Sequence, residues 1–222
     1  MKQCEGFTTF STNSASLGQT LKSGMTINET LLAVYKKHPK FFNIRCICGI
    51  TIQLLNHLER INQQTQLING CISLTTITAD LTNFQLKIFA GSTKHARSYV
   101  CRSIIAEPLT ERQKVEYSEE VLKDNPYFCS INTHKGKGGN RSDDLESVFY
   151  VIFYLIRGHL PWLAPDAPIN PKEPPSEQKL REILINKNNL SHTSTYRTLP
   201  GIFKIFYNYV RKVKPFEAPD YA

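Results

Sequence analysis

The stretch Arg141-Ser-Asp-Asp-Leu-Glu-Ser-Val-Phe-Tyr-Val-Ile-Phe-Tyr-Leu-Ile156 decides the fold. From Leu145 onward it is almost wholly apolar, through Val148, Phe149, Tyr150, Val151, Ile152, Phe153, Tyr154, Leu155 and Ile156. A helix apolar all round has no solvent face and belongs inside a bundle. A central parallel strand also reads as a continuous apolar run, and periodicity alone does not separate the two. Length favours the helix, because strands average about 5–6 residues. Ser142 is the expected N-cap, and Asp143 and Asp144 put acid in the first turn, where the helix dipole favours it. Gly158 is the expected stop, with Pro161-Trp162 opening the next segment.

Working outward, Asn28 is the expected cap of a short helix carrying Leu31, Leu32, Val34 and Tyr35, ended near His38-Pro39. Phe41, Ile44, Ile47, Cys48, Thr51, Leu54, Leu55, Leu58 and Ile61 follow helical spacing and predict a longer, core-facing helix. Leu74–Thr78 and Phe84–Ile88 are β-like, with a turn over Ala79–Asn83 that includes Asp80. Residues 91–130 show no clear period and read as an extended loop. A proline-rich connection follows Trp162, and Ser176 caps a helix with Leu180, Ile183 and Leu184. Residues 186–198 read as polar loop. A last helix after Pro200 should turn Ile202, Phe203, Phe206, Tyr209, Val210 and Val213 inward. The expected fold class is mainly α (α+β), a helical bundle with small β-hairpins.

The chain has 222 residues, enough for one substantial core, and 41% hydrophobic content excludes disorder. No apolar run is long enough to span a bilayer, and residues 1–24 lack a signal-peptide core. The six cysteines show neither zinc-ligand spacing nor disulfide density, so reduced thiols and an intracellular (cytoplasmic or nuclear) protein are expected. Net charge of +8 favours an acidic partner. Without an arginine-rich arm or an aromatic stacking platform, nucleic acid is the weaker choice of partner.

Three phrases in this order resemble the C-terminal lobe of a protein kinase of the casein kinase I superfamily: Ser130-Ile-Asn-Thr-His134, Ser142-Asp-Asp-Leu-Glu-Ser147 and Gly158-His-Leu-Pro-Trp162. The last of these, with Glu116-Tyr-Ser-Glu-Glu120, is similar to the vaccinia-related kinase branch. The segment from Tyr207-Asn-Tyr-Val-Arg211 to Phe216-Glu-Ala-Pro-Asp-Tyr221 matches the family's penultimate helix and the link after it. The resemblance implies a partial protein kinase domain over 1–222, with a hinge remnant at about 7–24 and the C-lobe at 25–222. It places the hinge strand at Thr8-Thr-Phe10, leaves the N-lobe largely absent, and ends the chain where the family's final helix begins. An isolated chain of this kind is expected to be marginally stable or to need a partner. Asp144, Trp162 and Arg211 become structural positions of the lobe. Asp144 is the acid that in the family accepts hydrogen bonds from the catalytic-loop backbone.

Phosphoryl transfer needs a carboxylate for the substrate hydroxyl, Asn and Asp for two Mg²⁺, and lysines for phosphate charge. Aligned on the preceding helix, the family's loop becomes Leu67-Ile-Asn-Gly-Cys-Ile-Ser-Leu-Thr-Thr76. The histidine position is then Asn69, the catalytic aspartate Cys71, the lysine Ser73 and the metal-binding asparagine Thr76. The Asp-Phe-Gly motif reads Phe89-Ala90-Gly91, and a phenyl ring cannot ligate Mg²⁺. No base or cation near Cys71 in sequence would activate its thiol. The Gly136-Lys-Gly-Gly139 loop lacks the spacing of a phosphate-binding loop.

The resemblance therefore implies a degenerate kinase, a pseudokinase without catalytic residues, metal or cofactor, serving as a protein-binding scaffold. Its partner would be a protein, acidic or phosphorylated. Lys135, Lys137 and Arg141 fall where the family binds anions, although only Arg141 matches the paired arginines, the second being Ser142. A solvated basic loop accounts for the same residues. An active serine/threonine kinase using ATP and Mg²⁺ from a truncated gene model, and a decayed paralogue without function, are the alternatives.

Overall fold

The computed structural model describes residues 28–65, 68–80, 85–88, 109–164, 167–169, 173–214 and 217–221. The expected hinge segment at 7–24, Phe89 and residues 91–108 lie outside them.

The chain opens with β1 (Asn28–Thr30) and α1 (Leu31–Lys37). The cap is Thr30 rather than Asn28, its hydroxyl accepting from Ala33 N at 3.2 Å, because Asn28–Thr30 pairs into a sheet instead. A 3₁₀ turn at Pro39–Phe41 leads into α2 (Ile44–Thr65), which starts later than the apolar spacing suggested. Phe41 and Ile44 are correspondingly exposed, while Ile47, Ile50, Leu54 and Leu58 are buried.

β2 (Ile77–Asp80) and β3 (Gln85–Ile88) complete an antiparallel sheet in the order β1-β2-β3. Leu74–Thr76 is a turn rather than strand, and Asp80 closes β2 opposite Gln85 instead of lying in the turn. The sheet lies against α2, where Gln53 Oε1 accepts from Leu86 N at 2.9 Å.

Residues 111–124, expected as loop, form α3 (Glu111–Asp124). A reciprocal capping box between Thr110 and Gln113 starts it. The pairs Lys114–Glu111 (2.7 Å) and Arg112–Glu116 (2.9 Å) add modest support. Its apolar stripe is so narrow that no period showed in the sequence.

α4 (Ile131–His134) precedes the central helix α5 (Arg141–Arg157). All side chains from Val148 to Phe153 are 0% exposed, which settles the run as an interior helix. The cap is Asn140 rather than Ser142, with Asn140 N donating to Asp143 Oδ2 at 2.8 Å. Gly158 terminates it in the left-handed conformation (φ 76°), a geometry that costs other residues more. Trp162 then folds back: its ring meets Tyr150 edge-on at 5.0 Å and its Nε1 donates to Tyr127 O at 2.9 Å.

α6 (Glu177–Asn188) is capped by Ser176 as expected. The expected loop at 186–198 is instead the end of α6, a 3₁₀ turn (Leu190–His192) and α7 (Ser194–Arg197). Lys187, Leu190 and Tyr196 hold it to the body, all three buried. In α8 (Gly201–Val210), Phe203, Tyr207 and Val210 pack onto α5, whereas Ile202 points to solvent, contrary to its assignment. Among the described residues no helix is long and apolar enough to cross a membrane. The product is the expected mainly helical C-lobe-like body around α5.

Candidate functional site

The loop after α2 is anchored to α5 at its start and bonded through its own side chains beyond it. Asp144, buried at the start of α5, accepts from Asn69 N at 2.7 Å through one oxygen and from Gly70 N at 2.8 Å through the other. Gly70 needs both a positive φ (71°) and the absence of a Cβ, which would collide with the Tyr117 hydroxyl of α3. Burial pushes the Asp144 carboxyl up to about 7 despite the two amides that favour its ionised form.

Inside the loop, polar groups satisfy one another. Asn69 Oδ1 accepts from Cys71 N at 3.2 Å. Thr76 Oγ1 donates to Cys71 O at 2.6 Å and accepts from Ser73 N at 2.9 Å, while Ser73 Oγ lies 2.9 Å from Thr75 Oγ1. Asn125, just past α3, donates to Ile72 O at 3.0 Å. The Cys71 thiol is buried and pushed up to about 12, first by desolvation and then by Asp124 and Asp144. A thiol so placed is protonated and inert at neutral pH.

The structure thus brings Asn69, Cys71, Ser73, Thr76 and Asp144 together. Lys135 and Lys137 are exposed on the glycine-rich turn before α5, and Arg141 is half-buried at its first residue. Arg211 lies 3.5 Å from Glu146. Among the described residues, no three His, Cys, Asp or Glu side chains gather as metal ligands.

The order of phrases read in the sequence now has a matching body, and sequence comparison finds relatives for it. No family model matches the chain. Casein kinase I homolog 3 of Saccharomyces cerevisiae is 31% identical over 171 residues, 76% of this chain and 29% of that protein. This is a casein kinase I-like chain. Casein kinase I homolog 2 of Schizosaccharomyces pombe is 36% identical over 112 residues, 50% of the chain and 24% of its own length. A protein of Encephalitozoon cuniculi named a probable casein kinase I homolog is 25% identical over 194 residues, 86% of the chain and 56% of its own length. The casein kinase I-like chain thus spans well under two thirds of each relative.

Sequence reading missed four residues that hold this site and its support. Tyr117 sits on a helix that was not expected, and Asn125 caps its end. Glu146 and Lys187 are charges buried in apolar surroundings. Glu146 carried a usable signal: a carboxylate on a helix with no solvent face requires partners.

Proposed function

We propose that this casein kinase I-like chain is a pseudokinase, a protein-binding module that neither transfers phosphate nor binds ATP and Mg²⁺ through its 69–76 loop. The observation that carries the reading is the loop's internal bonding. The hydroxyls of Ser73 and Thr76 bond to the loop itself, and the side chain at the catalytic position is a buried, protonated thiol. Mg²⁺ demands near-octahedral oxygen ligation, usually with one or two carboxylates, and this loop supplies none. Losing a single transition-state group typically costs about 10²–10³ in rate. The four free thiols among the described residues agree with a reducing intracellular setting, in the cytoplasm or nucleus.

The partner in this reading is an acidic or phosphorylated protein, met by the exposed Lys135 and Lys137 with Arg141 beside them. Nucleic acid is the weaker choice.

The relatives' names, and the limited share of their length that the chain spans, favour a second reading: a serine/threonine kinase whose ATP-binding groups lie outside this sequence. A radiolabelled phosphotransfer assay with ATP, Mg²⁺ and an acidic protein substrate, run beside a thermal-shift titration, tests the first reading. No transfer and no shift are expected. Transfer that disappears on substituting Asp80 sinks the pseudokinase reading.

A further inference from the structure

Helix α3 is attached to the body differently from every other long helix. The main core gathers α2, α5, α6, α8 and the sheet, whereas Tyr117 and Val121 of α3 form a separate small cluster with Ile68 and Cys129. Satellite clusters of this size open at lower free energy than the core they flank. Most of the rest of α3 is charged and solvent-facing, with Glu111, Arg112, Glu119 and Lys123 exposed.

The helix lies directly over the 69–72 loop. Tyr117 and Val121 cover Gly70, and Asn125 bonds to Ile72 O. On its other side Ser118 Oγ accepts from Gly138 N at 3.0 Å, so α3 bridges the loop and the glycine-rich turn. One atom opposes this arrangement. The Tyr117 hydroxyl is buried without a hydrogen-bond partner, a configuration that weakens the closed form. The loop itself does not depend on α3 for its shape, because Asp144 on α5 holds its backbone.

We propose that α3 is a cover that undocks as a unit, exposing the Asn69–Ile72 loop while the α2–α5–α8 core stays folded. Any partner that reads this loop competes with α3 for it. This statement holds whether or not the chain is a pseudokinase, since it concerns access and not chemistry.

Cys71 reports the opening, being sealed when α3 is docked and reachable when it is not. Peptide-resolved alkylation of the full chain with N-ethylmaleimide, across low urea, reads the rate. Undocking predicts Cys71 alkylation nearly independent of urea well below the unfolding transition that Trp162 fluorescence reports. Asn125→Ala removes a tether and is expected to speed alkylation ~5-fold. Tyr117→Phe removes only the unpaired hydroxyl and is expected to slow it ~5-fold. Opposite signs from two substitutions on one face are not a general loss of folding. Cys71 alkylation with the same steep urea dependence as global unfolding, or Tyr117→Phe without slowing, overturns the proposal.

Discussion

The Lys187 ammonium donates to the Cys129 carbonyl oxygen at 2.6 Å in a place wholly closed to solvent. It also lies 3.1 Å from His134 Nε2, 3.4 Å from Pro126 O, and over the rings of Tyr150 (4.9 Å) and Trp162 (5.4 Å). Desolvation holds its pKa below the ordinary lysine value, opposed by Cys129 and Glu146. The side chain therefore joins α6, the segment before α4 and the central helix at one point.

Replacing Lys187 by Ala should cost about 3 kcal/mol of stability, because a cavity forms and buried acceptors lose their donor. Lys187→Met fills the volume but leaves those acceptors unpaired, so it should recover only part of the loss. Urea denaturation followed by Trp162 fluorescence measures both. Equal stability of Lys187→Met and the wild type would show that the hydrogen bonds contribute nothing net.

The pH dependence of stability should carry two opposing contributions. His134 is held down to about 2 by burial and by Lys187, so its folded form is neutral while the unfolded one titrates at the usual 6.5. Its contribution is present above pH 6.5 and is lost by about 1.4 kcal/mol per unit as pH falls below that. Asp143 and Asp144 are raised to about 6 and about 7, chiefly by burial. Their contribution is complete below about pH 4 and is lost as pH rises through 6 and 7. The stability difference between wild type and Asp144→Asn should therefore shrink from pH 5 to pH 8. That between wild type and His134→Gln should grow from pH 5 to pH 7. Urea midpoints at four pH values test both signs.

Glu146 is nearly enclosed. It accepts from Ile131 N at 3.2 Å and from the Tyr150 hydroxyl, and faces Arg211 at 3.5 Å. Glu146→Ala should cost about 3 kcal/mol, since it strips partners from two buried donors. Arg211→Ala should cost only about 1 kcal/mol, because Arg211 is partly exposed and Lys187 also balances the carboxylate. A double-mutant cycle isolates the pair, and a coupling above about 2 kcal/mol would mean that Arg211 matters more than its exposure allows.

What the sequence revealed follows how each element buries its surface. α5 was legible because apolar residues cover all its sides, and α8 because its stripe is broad. α3 was not, since Tyr117 and Val121 are too few to make a period among charges. Capping was misplaced at both Asn28 and Ser142, where strand pairing and Asp143 decided the start. Lys187 hid because lysine reads as solvent-facing unless its surroundings are known. Asp144 was named from the resemblance, and its two amide contacts are what the geometry adds.

Because Asp144 grips only main-chain N–H groups, it is blind to which side chains the loop displays. Substitution at positions 71, 73 or 76 passes unnoticed by this restraint, so Asn69 and Gly70 stay anchored whichever side chains stand there, while Thr76 adds its own bonds to Cys71 O and Ser73 N. Gly70, wedged under Tyr117 with a left-handed backbone, is denied that freedom. Form and chemistry in this stretch are under separate control, and the first can be inherited without the second.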